Sequence, residues 1–397
     1  MDSFLHSVAG CSILSLAIVI TALPWFAIVE PAGFRLAVRK PLNWVFGLIA
    51  VAVLAALMAA FVGVVLDSSR LLNWGRLVGA IIQLQSTICF FCILFPLILL
   101  VWPHGGAIAL AAFLEGVRQP MFWMITLFAA GLMYVSIVVP YFTFGEDAKM
   151  VKELGFDTIM IVSVIFAVLA ASMSISEEIE GRTAITVMSK PVSRRQFLLG
   201  KFLGILLAAV LMTLLLGWAF NGVLYFTPLF DNEPIPDPAW ITEWQLSYGP
   251  TFGAPTVSFL SGTGIWLTMA IDSAPGLIFG LCKTMVLLSI AVAFATRLPL
   301  IVNLISCLVI FFFGHLTHTL VQISEGKLRL VNFIAKTFDT ILPGLNNFDL
   351  SALIAKETPT DFYDLWYYVG FVFLYAAMYS TIALVFGLIL FEDRDLA

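Results

Sequence analysis

Glu177, Glu178 and Glu180 put three acids in four positions. Gly181, Arg182 and Thr183 follow directly, and Pro191, Ser193, Arg194 and Arg195 come after a short amphipathic piece. This block lies between two long apolar runs. Carboxylates and guanidinium groups so placed do the chemistry of recognition, pairing with opposite charges on a partner, and Gly181 permits a sharp backbone turn. Ser193, before Arg194-Arg195-Gln196, is positioned to N-cap the helix that follows. A plain linker between two membrane helices needs only a few polar residues, so this long stretch, charged at both ends, reads as a docking element. The bland alternative is basic anchoring of two spans plus a solvated acidic turn.

Other reactive side chains are few. Lys283 sits inside an apolar run, where an ionisable group is a functional candidate by default. It fits either a substrate path or a long side chain snorkelling to the surface. His315 and His318 at i, i+3 share one helix face; they suit a metal only if a third ligand joins them, and otherwise read as satisfied interfacial histidines. Cys89 and Cys92 form a C-x-x-C that reads CFFC within an apolar run, which is two small hydrophobes on a helix. No Ser/His/Asp constellation is recognisable. Residues 276–284, GLIFGLCKT, miss the Gly-Lys pair of a phosphate-binding loop, so the chain carries no ATPase motif of its own.

The elements that must hold these residues are set by composition. The 397 residues are 61% hydrophobic and 11% charged, with a mean hydropathy of +1.03. Soluble domains carry about 25% charged residues, so the chain is an all-α polytopic membrane protein. A net charge of −5 gives no reason to expect nucleic-acid binding. About nine apolar runs are long enough to span: 8–29, 44–66, 78–102, 121–142, 158–176, 197–226, 275–296, 299–320 and 366–391. The first is read as a retained span rather than a signal peptide, because Asp2 and His6 replace a basic leader. The seventh is either continuous, kinked or re-entrant at Pro275-Gly276.

Placing the 174–204 block in the cytoplasm gives eleven Lys and Arg residues on that face, against four in the short loops opposite. Nine spans then leave the C-terminus inside and the N-terminus outside. Residues 227–274, which have six prolines and five acids but no Lys or Arg, are expected to form an irregular extracytoplasmic excursion. Residues 321–365 form a second one on the same side. Residues 107–120, apolar until Glu115, Arg118 and Gln119, read as an in-plane interfacial helix, or else as an extension of the third span.

This order is specific: an interfacial elbow, a span, a short outer loop, a span, E-E-x-E-G-R-T, then K-P-V-S-R-R-x-F-x-x-G-K. It resembles the membrane subunit of type-2 ATP-binding-cassette exporters over roughly residues 107–397. The resemblance implies a six-span permease core at 104–397, carrying the elbow helix (107–120), a coupling loop (177–196) and the extracytoplasmic segments (227–274, 321–365). The three N-terminal spans, residues 1–103, would be an extension.

The resemblance further implies that Glu177, Glu178, Glu180, Gly181, Arg182 and Thr183 contact a separate cytoplasmic ATPase subunit. Pro191, Ser193, Arg194 and Arg195 would form the return into the next span, with Lys283 as a possible substrate-path residue. The permease would be a homodimer or heterodimer in the cell inner membrane, surrounded by membrane lipids and without a cofactor of its own, ATP being bound by the partner. A membrane scaffold that borrows the fold without transporting solute is the alternative. An ATP-independent carrier would call for internal repeats and several intramembrane charges.

Overall fold

The computed structural model describes residues 2–65, 67–139, 147–180, 193–231, 239–324, 342–349 and 362–392, together with 333, 336–338 and 340. Among these residues there are helices and turns and no strand. The helices are α1 (Asp2–Val29), α2 (Pro31–Arg39), α3 (Pro41–Val64), α4 (Ser68–Val101), α5 (Pro103–Arg118), α6 (Pro120–Ser136) and α7 (Asp147–Glu180). They continue with α8 (Arg194–Asp231), α9 (Ala239–Phe252), α10 (Ala254–Ala295), α11 (Leu300–Ser324), a 3₁₀ turn (Leu345–Phe348) and α12 (Phe362–Glu392).

Seven of the described helices are long and apolar enough to cross a membrane, and α5 and α6 together pass as a pair bent by 59°. The run Leu300–Leu316 of α11 adds a shorter apolar helix. Each of the nine apolar runs read from the sequence therefore overlaps a described helix. Lipid offers no hydrogen bonds to the backbone, so the helix is the structure that satisfies such runs internally. Pro24, Pro96 and Pro275 lie inside helices without ending them. The seventh run is thus one continuous helix through Pro275.

Residues 239–272 correct the expectation of an irregular excursion. Helix α9 runs from Ala239 to Phe252 and α10 starts at Ala254. The prolines mark ends instead of disorder: Pro250 falls in the last turn of α9, and Pro255 in the first turn of α10, where a missing N–H costs no helical bond. The joint between them is Gly253, at φ +84°, a conformation that favours glycine.

The chain divides into two compact units, one comprising residues 1–97 and 232–272, the other residues 98–231 and 273–397. In the first, Cys11 and Leu14 of α1, Ala55, Ala59 and Val62 of α3, and Leu71 and Ile82 of α4 pack with Phe259 and Leu260 of α10. The Trp266 indole N–H donates to Gln83 Oε1 at 2.7 Å, and the Thr263 hydroxyl to the Gly75 carbonyl at 3.0 Å. Asp67 opens α4, accepting at Oδ1 from the Ser69 hydroxyl and N–H at 2.8 and 3.0 Å. Those bonds hold its carboxyl below the usual carboxylate range.

In the second unit α5 lies against α8 through small residues. A Cβ on Gly204 would run into the Ala109 carbonyl and Ala112, and one on Gly200 would come within 2.8 Å of Ile108 Cβ. The sequence Gly200-Lys-Phe-Leu-Gly204 is thus a small-xxx-small surface that lets two helices approach closely. Polar cross-ties add to it: the Ser163 and Thr213 hydroxyls meet at 2.9 Å, and Asn303 Nδ2 donates to Ser172 Oγ at 2.9 Å and the Ala291 carbonyl at 3.0 Å.

Candidate functional site

Two charge clusters in the second unit stand out, and each is built on a lysine inside a helix that is otherwise apolar. The first centres on Lys201, two turns into α8, with a side chain only 6% exposed. Its ammonium donates to Glu178 Oε1 at 2.7 Å, Ser174 Oγ at 2.8 Å and Glu115 Oε2 at 3.1 Å. Ser174 Oγ lies 3.2 Å from the same Glu115 oxygen. A buried ammonium needs its three donors met, and here one partner comes from α5 and two from the last turns of α7. The lysine consequently knots together three helices at the mouth of the 177–196 loop.

Several residues singled out from the sequence flank this knot. Glu178 points inward to Lys201 and is partly buried. Glu177 and Glu180 belong to the last turn of α7, and their side chains lie outside the described residues, as do Gly181, Arg182, Thr183 and Pro191 entirely. Ser193 caps α8: its hydroxyl accepts from the Gln196 N–H at 3.2 Å, and Gln196 Oε1 accepts from the Ser193 N–H at 3.1 Å. This reciprocal pair satisfies two otherwise orphaned donors.

Arg195 is exposed, whereas Arg194 turns back to the end of α12. It donates to the Phe391 carbonyl at 2.8 Å and the Glu392 carbonyl at 2.9 Å, with its guanidinium 5.6 Å from the Phe391 ring centroid. Arg297 Nε takes the Leu390 carbonyl at 2.8 Å. Two arginines therefore close the C-terminal carbonyls of the last helix, where a cation also meets the negative end of the helix dipole.

The second cluster is Lys283 on α10. Its side chain is 1% exposed, so it does not snorkel. The ammonium is paired with Asp349, just after the 3₁₀ turn, and lies 3.0 Å from His315 Nε2. His315 Nδ1 is 2.7 Å from the Phe311 carbonyl. A carbonyl only accepts, so Nδ1 carries the proton and Nε2 is left to accept from Lys283. His315 thus serves Lys283; the side chain of His318 lies outside the described residues. A small cleft beside the ammonium is lined by Phe156, Met160, Gly276, Phe279, Gly280 and Phe348, with Asp157 and Asp349 at its wall.

The sequence alone assigns no partner to Lys201 or to Lys283. Glu115, Ser174 and Asp349 emerge only from the fold. The one signal for Lys201 was its place inside Gly200–Gly204, a close-packing face where a lysine has no route to water.

The fold defines a polytopic all-α membrane protein with two lysine-centred charge clusters among its helices. The chain belongs to the ABC-2 family of transporter proteins, whose family model matches residues 106–396. It is therefore a permease component of an ABC transporter, and the matched region begins within α5. No curated protein matches the chain.

Proposed function

We propose that this chain is the membrane-spanning subunit of an ATP-driven transporter, coupling hydrolysis by a separate cytoplasmic ATPase to movement of a substrate. Two permease chains, identical or homologous, would work with two ATPase copies in the cell inner membrane. The loop 177–196 and the C-terminus face the cytoplasm. The N-terminus and the segments 227–274 and 321–365 face the other side. ATP stays with the partner.

The observation that carries this reading is the Lys201 knot. A loop that docks an ATPase must be attached stiffly to the helices it moves. Lys201 joins the last turns of α7, the early turns of α8 and α5 at distances of 2.7–3.1 Å. A push on the loop then shifts three helices together instead of being absorbed by one frayed end. Within the acidic triplet the labour divides: Glu178 holds the loop root, and Glu177, Glu180, Gly181, Arg182 and Thr183 meet the partner. Pro191, Ser193, Arg194 and Arg195 return the chain into α8.

The test is co-purification of the full-length chain with the ABC ATPase expressed beside it. The reading expects a stable complex whose ATP hydrolysis depends on this chain. Hydrolysis that proceeds equally without the chain, or failure of any ABC ATPase to associate, overturns it in favour of a scaffold.

A further inference from the structure

The Lys283–Asp349 pair is lopsided. The cation is 1% exposed and sits within a continuous apolar helix, while its anion is 41% exposed and belongs to a short strap, residues 342–349. The strap is seated in the core by Leu345 and Phe348, which are 0% and 3% exposed. Leu345 seats against Gly314 of α11, with its Cγ 2.9 Å from where a Cβ would stand. Phe348 lies against Tyr375 of α12, with ring centroids 5.9 Å apart, and the Tyr375 hydroxyl accepts from the Gly344 N–H at 3.1 Å. Asp349 is the strap's ionic fastening.

The asymmetry has a direct consequence. If the strap lifts, Asp349 regains water at small cost, but Lys283 stays buried. An uncompensated buried charge is strongly unfavourable, and His315 has no negative charge with which to replace Asp349. The ionic fastening of the strap is therefore released only when another anion replaces Asp349. Phe156, Met160 and Phe279 line the adjoining cleft outside the strap and favour an apolar body next to that anion. Asp157 on the same wall has a partner of its own and disfavours a second negative charge nearby.

We propose that Lys283 is an anion-exchange site: Asp349 fills it when the strap is closed, and a singly anionic group, phosphate or carboxylate, on a largely apolar molecule fills it when the strap is displaced. Resting on the permease reading above, this gives the substrate path a chemical class and joins substrate entry to strap release.

Hydrogen–deuterium exchange of residues 342–349 tests it in the full-length chain, held in dodecyl maltoside and phosphate-free buffer. Dodecyl phosphate should raise strap exchange several-fold, and dodecyltrimethylammonium should not. If inorganic phosphate alone produces the rise, a small free anion is the ligand; if only dodecyl phosphate does, the ligand is amphipathic, as for a lipid headgroup. The second result supports the proposal, and the first overturns it, because the occupant would then have no apolar body. No rise with either anion, or an equal rise with the cationic amphiphile, overturns it. Lys283→Gln should leave the strap fast-exchanging and indifferent to anions, and a retained anion response there also overturns it. The wild-type comparison decides alone should that variant fail to fold. No ATPase takes part, so failure here is distinguishable from failure of the permease reading.

Discussion

Lys201 Nζ and Glu178 Oε1 stand 2.7 Å apart, joining the second turn of α8 to the last turns of α7 across the root of the loop. The lysine is almost fully enclosed and the glutamate is 27% exposed. Glu178 is thus part of the frame, and its loss leaves a buried ammonium short of a partner.

Glu178→Lys should therefore behave as a folding defect. It sets two ammonium groups against each other in a poorly hydrated spot, where like charges cost several kcal/mol. Melting in detergent should fall clearly, and Glu178→Gln should fall less because Glu115 still faces Lys201. A double-mutant cycle with Lys201→Met should give a coupling of about 1–3 kcal/mol. A cycle that sums to zero would mean the contact is incidental.

Gly204 and Gly116 make a matched pair of probes on the α5–α8 contact. Gly204→Val drives a side chain into the Ala109 backbone and should cost about 1–3 kcal/mol or more through overpacking. At Gly116 a Cβ meets Ala208 Cβ at an ordinary 3.5 Å. Gly116→Ala should be neutral or stabilising by about 0.5–1 kcal/mol through helix propensity. Thermal unfolding of both variants decides, and equal effects would contradict the packing described.

The Lys283 pair predicts an inequality. Asp349→Asn strands the buried ammonium, and breaking a buried pair this way costs about 3–5 kcal/mol. Lys283→Met leaves a carboxylate that is already 41% exposed and can rehydrate. The midpoint should therefore drop more for Asp349→Asn than for Lys283→Met. The opposite order would place the uncompensated charge on the wrong partner.

Arg194 and Arg297 close the end of α12. Arg194→Ala should speed amide exchange in the last turn of α12 with little change elsewhere, since exposed helix-end contacts contribute about 0.3–1 kcal/mol. Arg194→Lys should rescue it only partly, because an ammonium lacks the planar fork that serves two carbonyls. Full rescue by lysine would show that charge alone suffices.

Much of this was legible in the sequence. The spans were, because apolar length alone selects helices in lipid. So was the Ser193 cap, a local signal within four residues. The helices within 227–274 were not, because many prolines argue for irregular chain although Pro250 and Pro255 fit helix ends. The ion clusters were not legible, since Glu115 lies 86 residues from Lys201 and Asp349 lies 66 from Lys283. Nothing in local pattern pairs such distant charges; only the packing of α5 on α8, and of the strap against α10 to α12, does so.

The central claim is that the loop docks an ATPase while Glu178 holds its root. Its most direct measurement is capture of the ATPase by a chain carrying Glu180→Lys and Arg182→Glu together. The account predicts wild-type membrane abundance and melting, with capture and chain-dependent ATP hydrolysis both largely lost, as like-charge juxtaposition at a docking contact costs several kcal/mol of association. Undiminished capture and hydrolysis by a normally folded double variant would contradict it.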